Sequence, residues 1–483
     1  MSSELADCFL GVCSRAPAAV AIRDFSDGAA ITFDALRESF LVTRRALREL
    51  ALRDGASIVS CLGNHAIFFP FIAASMDAGC SLLPLGEATD AELLQAIDRS
   101  GAVAVVTNRF LPLSVRAERS LAPGVRLVLL QDRTEPATHG CAVILKLTSG
   151  STNAPRAAIA EENHLINDGR HVIEAMGLTA ADVNFGCIPL SHSYGLGNLV
   201  MPLLLQGTGV ALRRSFNIAT LVRDLECSAA TVWPGVPFMF ERVEQALHPE
   251  PLPSSLRLLI TAGARIQLDT VRWFHARLGR KLHSFYGTSE TGGITFDDSE
   301  EVAEVVHVGR PLPETEVCVV PTSPDSGRIL VHGTAVASRY GSMRGRSEGV
   351  ARFSNGGFLT GDLGSFNAAG QLVLTGRVST AVHVAGRKVD PHDVEQMLLT
   401  IPGVSDVRVI GIPCARRGQQ VVAVVVTTDR ALTPVILRQM CAPRLSPHKI
   451  PRHFVFVDRL PVDARGKVDR RLLHALASGD AQI

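Results

Sequence analysis

Short apolar, β-branched runs alternate along the chain with stretches in which apolar residues recur every three or four positions. Ser57 to Cys61, Cys80 to Pro84, Val103 to Thr107 and Val125 to Leu130 read as strands. Ala66 to Ala78 and Asp90 to Ser100, lying between them, read as helices. Strands alternating with helices in this way predict a largely parallel, doubly wound α/β sheet. The rhythm resumes from about Asn163 to Leu282, with a helix at Ala219 to Leu225, a strand at Ala230 to Trp233 and a helix at Phe238 to Leu247. From Val302 to Leu374 it changes. Short strands such as Val317 to Pro321, Arg328 to His332 and Gln371 to Leu374, broken by Gly, Pro and Asn, predict a small β-rich subdomain over about 302–376. Beyond Arg377 come strands at Val382 to Val384, Val407 to Ile412, Val421 to Thr427 and His453 to Val457, and helices at Asp390 to Thr400 and Thr433 to Cys441. They predict a separate α+β domain over 377–483, with the boundary near Gly376 to Ser379.

The length fits this division, since 483 residues exceed what one hydrophobic core organises. The 48 basic and 47 acidic residues leave a formal charge of +1, so no global field draws in nucleic acid or an anionic membrane, and a charged ligand must be held locally. Ten cysteines include no Cys-x-x-Cys pair, which removes zinc-ribbon and thioredoxin-like chemistry and predicts reduced core thiols. The apolar runs fall short of the ~20 residues that span a bilayer. The N-terminus shows no basic segment leading into an apolar one, so no signal peptide is expected and the cytosol is the expected location.

Four segments carry candidate chemistry. Leu147-Thr-Ser-Gly-Ser-Thr-Asn-Ala-Pro-Arg156 follows a strand-like run; its backbone N–H groups and hydroxyls can converge on one anion, and Arg156 can add charge-assisted bonds to phosphate. It is not a Walker loop, and seen alone it is equally a polar surface turn. In Ser284-Phe-Tyr-Gly-Thr-Ser-Glu-Thr-Gly-Gly293, Glu290 can hold Mg²⁺, a hard cation that prefers oxygen, and Tyr286 offers a flat face to a base. In Gly356-Gly-Phe-Leu-Thr-Gly-Asp-Leu-Gly364, Asp362 can accept hydrogen bonds from ribose hydroxyls, although a turn aspartate is the commoner meaning of Gly-Asp. In Leu460-Pro-Val-Asp-Ala-Arg-Gly-Lys-Val-Asp469, Lys467 follows glycine near the end of the chain and can swing into a cleft, or remain a solvated tail lysine.

Together, in this order and spacing, the four segments resemble those of the adenylate-forming superfamily: acyl-CoA ligases, peptide-synthetase adenylation domains and beetle luciferases. The resemblance runs through nearly the whole chain. Ile31-Thr-Phe-Asp-Ala-Leu36, Gly79-Cys-Ser-Leu-Leu-Pro-Leu85, Pro189-Leu-Ser-His-Ser-Tyr-Gly195, Ala262-Gly-Ala264, Gly376-Arg377, and the later Gly386, Pro391 and Glu395 all join it. It implies that Thr148, Ser149, Gly150, Ser151 and Thr152 wrap the β- and γ-phosphates beside Arg156. Gly263, Ala264 and Tyr286 enclose adenine, with Gly287 part of the same ATP site. Ser289 contacts phosphate, Glu290 and Thr148 face Mg²⁺, and Asp362 and Arg377 bind ribose. Lys467 stabilises the charge that develops as a carboxylate attacks the α-phosphate. Ser379 is the implied hinge, about which the small mobile domain rotates between adenylation and thiol transfer.

Several positions depart from the family pattern. Asn153 and Ala157 stand where glycine is usual, Arg156 replaces lysine, and Ser289 replaces threonine. Ser379 replaces Asp or Lys, His383 replaces a frequent lysine, and Cys414 replaces a frequent aspartate. No aspartate follows His192 to hold an α-amine, which argues against amino acids as substrates. His192 with Trp233, Val236 and Phe285 outlines an acyl pocket for an aryl or fatty acid. The expected acceptor is CoA; the alternatives are the phosphopantetheine of an acyl carrier protein, or a degenerate ATP-binding protein without turnover. Arg387, Lys388, Arg416 and Arg417 can face the phosphates of CoA or an acidic carrier protein equally well. Gly345-Arg-Ser-Glu-Gly349 fits the hydrolase elbow pattern but lacks the strand before and helix after that the elbow needs.

Overall fold

The structure is a computed structural model that describes residues 3–111, 113–131, 141–148, 156–246, 252–323, 326–341, 351–354, 356–377, 382–414, 416–461 and 470–479. The apolar runs become the buried centres of two large sheets. Ser57–Cys61, Ser81–Pro84 and Ala104–Thr107 pair in parallel and are buried along their whole length, because helices cover both faces. The helices between them, Phe68–Asp77 and Asp90–Ser100, lie where the 3.6-residue period places them. Asp90–Ser100 opens with a capping box in which the Thr89 hydroxyl and the Glu92 carboxylate satisfy each other's backbone N–H groups.

The first sheet has eight strands, with Val143–Thr148 parallel to Ser81–Pro84 and Arg156–Glu161 antiparallel to it in turn. The second has nine, with a parallel centre formed by Val183–Gly186, Gly209–Leu212, Val232–Gly235, Leu258–Thr261 and Leu282–Thr288. Both sheets are therefore mixed. Their centres are parallel as expected, but the edges turn antiparallel, at Val125–Leu130 and Val115–Ala122 in one and at Gly292–Phe296 and Arg310–Pro311 in the other. Val115–Ala122 has mostly exposed or half-buried residues, so its sequence carries no apolar run.

The β-rich part is a five-stranded sheet built from Thr315–Ser323, Ser326–Gly333, Arg352–Ser354, Gly357–Phe366 and Leu372–Arg377. The next described strand, Val382–Val384, belongs to a different sheet with its own core around Val394, Leu398, Val407, Val425 and Leu437. All ten cysteines are free, and Cys13, Cys61, Cys80, Cys187 and Cys441 are buried. Among the described residues no helix is long and apolar enough to cross a membrane.

Candidate active site

The C-terminal ends of the parallel strands, the β-rich sheet and the C-terminal domain together enclose a cavity of about 810 Å³. Ligands of open α/β sheets bind at this end of the strands. Of the residues singled out in the sequence, Arg156, His192, Gly263, Ala264, Phe285, Tyr286, Gly287, Ser289, Glu290 and Asp362 line it. Thr148 ends the strand Val143–Thr148 with its backbone opposite Arg156. The Arg377 backbone pairs with Asp362 across the antiparallel register of Gly357–Phe366 and Leu372–Arg377. Ser149, Gly150, Ser151, Thr152, Ser379 and Lys467 lie outside the described residues.

Two of the expected pocket residues sit elsewhere. Trp233 is fully buried behind its strand, tilted on Phe240 at 4.7 Å and edge-on to Phe185 at 6.2 Å, and is not in the cavity wall. Successive strand residues face opposite ways, and Trp233 shares its face with Gly235, whose missing Cβ would lie 2.9 Å from Phe240. That face points into the core. Val236 does not line the cavity either; it stands against the C-terminal domain, 2.6 Å from where a Cβ on Gly386 would be.

Distant segments position the polar groups. The Tyr286 hydroxyl donates to Asp362 at 2.8 Å, which fixes the carboxylate beside the ring. The Tyr340 hydroxyl donates to Glu290 Oε1 at 2.7 Å, and the Arg156 guanidinium lies 4.0 Å from the centroid of the Tyr340 ring. Burial and the Glu290 carboxylate push the Tyr340 phenol well above its ordinary range, so it remains a donor at any physiological pH. Gly287 allows a tight return, since a Cβ there would lie 2.4 Å from the Gly292 carbonyl oxygen. The Gly293 N–H donates to Asp168 at 2.8 Å.

The C-terminal domain closes the cavity. The turn between Val382–Val384 and Arg387–Val389 holds Gly386 at φ +78°, and a Cβ on Gly263, itself at φ +84°, would lie 3.3 Å from the Gly386 carbonyl oxygen. Lys449 pairs with Glu92 at 3.2 Å and the Ser446 hydroxyl donates to the same carboxylate, so the capping residue of one domain anchors the other. Arg387 and Lys388 line the cavity; Arg416 and Arg417 are outside its wall.

Arg387 reaches His448 at 3.4 Å. Enclosure by protein, then the Arg387 charge, holds the His192 imidazole down to about 4, although its ring opens onto the cavity. Burial, then the Arg387 and Lys449 charges, hold His448 down to about 3 against the pull of the Glu92 carboxylate. An unfolded chain therefore binds more protons than the folded one between about pH 6.5 and 4, so stability rises with pH through that window and falls as it is acidified. The melting temperature is expected to drop from pH 7 to pH 5, and His448→Gln to flatten that drop. Identical pH profiles for the two proteins would refute the assignment.

Sequence reasoning missed Lys146, Asp168, Asn198, Tyr340 and His448, all of which the fold brings to the cavity wall or against Glu290. Only Lys146 carried a signal, a lysine inside the apolar run Ala142 to Leu147.

The sequence matches the model of the AMP-binding enzyme family over residues 10–341 and that of the AMP-binding enzyme C-terminal domain over 393–467. It is 28% identical over 475 residues to a feruloyl-CoA synthase from an Amycolatopsis species, covering 94% of each chain. The fold is similar to that of a double mutant of o-succinylbenzoate CoA synthetase from Bacillus subtilis bound with its product analogue, with TM-score 0.83 at 22% identity over 96% of this chain and 98% of that one. The TM-score with the acyl-adenylate complex of the same synthetase is 0.65, at 22% identity over 96% and 97% of the two chains. This chain belongs to the AMP-binding enzyme family, through both its large and its C-terminal domain.

Proposed function

We propose that this chain, with an AMP-binding domain over 1–376 and a mobile domain over 377–483, activates a carboxylic acid with ATP and transfers the acyl group to CoA. A carboxylate oxygen attacks the α-phosphorus, the bond to pyrophosphate breaks, and acyl-AMP forms. The thiolate of CoA then attacks the acyl carbonyl carbon and AMP leaves. The observation that carries this reading is the convergence of Arg156, Tyr286, Glu290 and Asp362, from separate segments, on one cavity. Phosphoryl-type transfer needs positioning and charge neutralisation more than covalent help. Asp362 suits the ribose hydroxyls, and Gly263 and Tyr286, in the same cavity wall, suit adenine.

Glu290 is suited to Mg²⁺: it is an oxygen donor in the cavity wall, 8% exposed, with Oε1 held by Tyr340. Mg²⁺ is commonly held by one or two carboxylates and completes its shell from phosphates and water. Bound there, Mg²⁺ would offset phosphate charge. Tyr340→Phe removes the bond that orients Glu290, and we expect it to raise KM for ATP about 10-fold, with less effect on KM for CoA. Equal effects on both would show a general loss of structure.

Arg387 and Lys388 bring cations to the cavity from the C-terminal domain, which favours the phosphates of CoA. A His192 ring that stays neutral down to about pH 4 is a weak base and better suited to hydrogen bonding the acyl group. Incubation with ATP, Mg²⁺, CoA and a panel of carboxylic acids, followed by mass spectrometry, tests the proposal. AMP and an acyl-CoA are the expected products. Formation of ADP, or of no AMP with any acid, contradicts it; acyl transfer to a phosphopantetheinylated carrier protein but not to CoA contradicts the acceptor alone.

A further inference from the structure

Tyr194 and Phe285, stacked at 5.8 Å, line the cavity, and buried polar side chains share its wall. Asn198 is 2% exposed and lines the cavity, yet neither its Nδ2 nor its Oδ1 has a partner among the described residues. Its backbone carbonyl accepts from the Asn184 amide at 3.0 Å. Asp168, also 2% exposed, lines the same cavity from the helix Glu162–Ala175. Its carboxylate lies beside Gly197, the neighbour of Asn198, where a Cβ would stand 3.2 Å away. Lys146, 4% exposed, reaches the cavity from the strand Val143–Thr148. Burial lowers the Lys146 pKa, and the Asp168 carboxylate, more than Glu290, opposes that.

A buried amide left without partners costs about 1–3 kcal/mol, so a protein keeps one where a ligand completes it. Lys146 and Asp168 bring groups of opposite charge to this part of the cavity, which makes it a poor place for a second carboxylate or for an amine. Asp168 fills the space beside Gly197 and Gly292, where a Cβ would lie 3.2 Å and 2.4 Å from its carboxylate. We infer that the acid this chain activates carries a hydroxyl besides its carboxylate, received by the Asn198 amide in the cavity wall it shares with Asp168 and Lys146. This rests on the acid-activating reading above. Asn198 then acts in specificity, by hydrogen bonding the substrate.

The test compares kcat/KM for three pairs: 4-hydroxybenzoate and benzoate, 4-hydroxycinnamate and cinnamate, 6-hydroxyhexanoate and hexanoate. ATP and CoA are saturating. A site built to bond a hydroxyl rejects the analogue lacking it strongly, so the hydroxylated acid is expected to win by about 100-fold or more in at least one pair. In Asn198→Leu that ratio is expected to fall below about 10-fold, chiefly through loss of the hydroxylated substrate. Unsubstituted acids used as well as their partners in every pair overturn the inference and leave acid activation standing. A ratio unchanged in Asn198→Leu overturns the role of Asn198. No turnover of any of the six overturns the inference, and if no acid at all yields AMP the acid-activating reading falls with it. The wild-type ratios decide the matter even if the variant does not fold.

Discussion

Lys467→Ala is expected to slow acyl-adenylate formation by about 10²–10³-fold, the usual cost of removing one preorganised group that meets developing charge. Transfer from preformed acyl-AMP to CoA should stay within a few-fold of wild type. The asymmetry follows from the proposal that the lysine rides on a mobile domain. Lys467 falls within the sequence matched by the C-terminal domain, and among the described residues that domain offers the cavity Gly386, Arg387, Lys388 and His448. A domain that presents one face for adenylation and another for thiol attack uses Lys467 in the first step only. Single-turnover measurement of each half-reaction checks this. An equal loss in both would mean that the domain does not rotate between them.

Gly386→Val is expected to give the opposite phenotype. A Cβ at this position would lie 2.6 Å from Cγ1 and 2.9 Å from Cβ of Val236, too close for any real contact, and the backbone is held at φ +78°. The preceding Ala385 is also left-handed, at φ +49°, so the turn has little freedom to move aside. Valine there would hold the hairpin off the large domain. Thiol transfer should fall about 100-fold while pyrophosphate exchange stays near wild type, because an interaction needed in one step alone is lost. Adding Val236→Ala should restore part of the transfer rate by making room. If Gly386→Val impairs exchange as much as transfer, the contact serves the fold and not the second step.

The strands and helices were legible because burial on both sheet faces demands unbroken apolar runs, as in Ser57–Cys61 and Ala104–Thr107. The antiparallel edges were not. Val115–Ala122 is solvated on one side and carries arginine, glutamate and serine, so nothing in its composition separates it from a loop. Glu290 and Asp362 were legible through the glycines and hydroxyls around them. Their partners were not: Tyr340 lies 50 residues from Glu290, and Tyr286 lies 76 from Asp362, separations that only the fold closes. Trp233 was misplaced because an aromatic beside a proline gives no direction for its ring; the strand's alternation sent it toward Phe240. Lys146 was the one missed residue with a visible mark, since a lysine in a buried strand needs a partner or a purpose.

Exchange of labelled pyrophosphate into ATP, measured without CoA across a broad set of carboxylic acids, isolates acyl-adenylate formation. Exchange that requires an acid, and that Glu290→Gln reduces severely, is the expected result. No exchange with any acid, or exchange that proceeds equally well without one, would contradict an enzyme that joins AMP to a carboxylate.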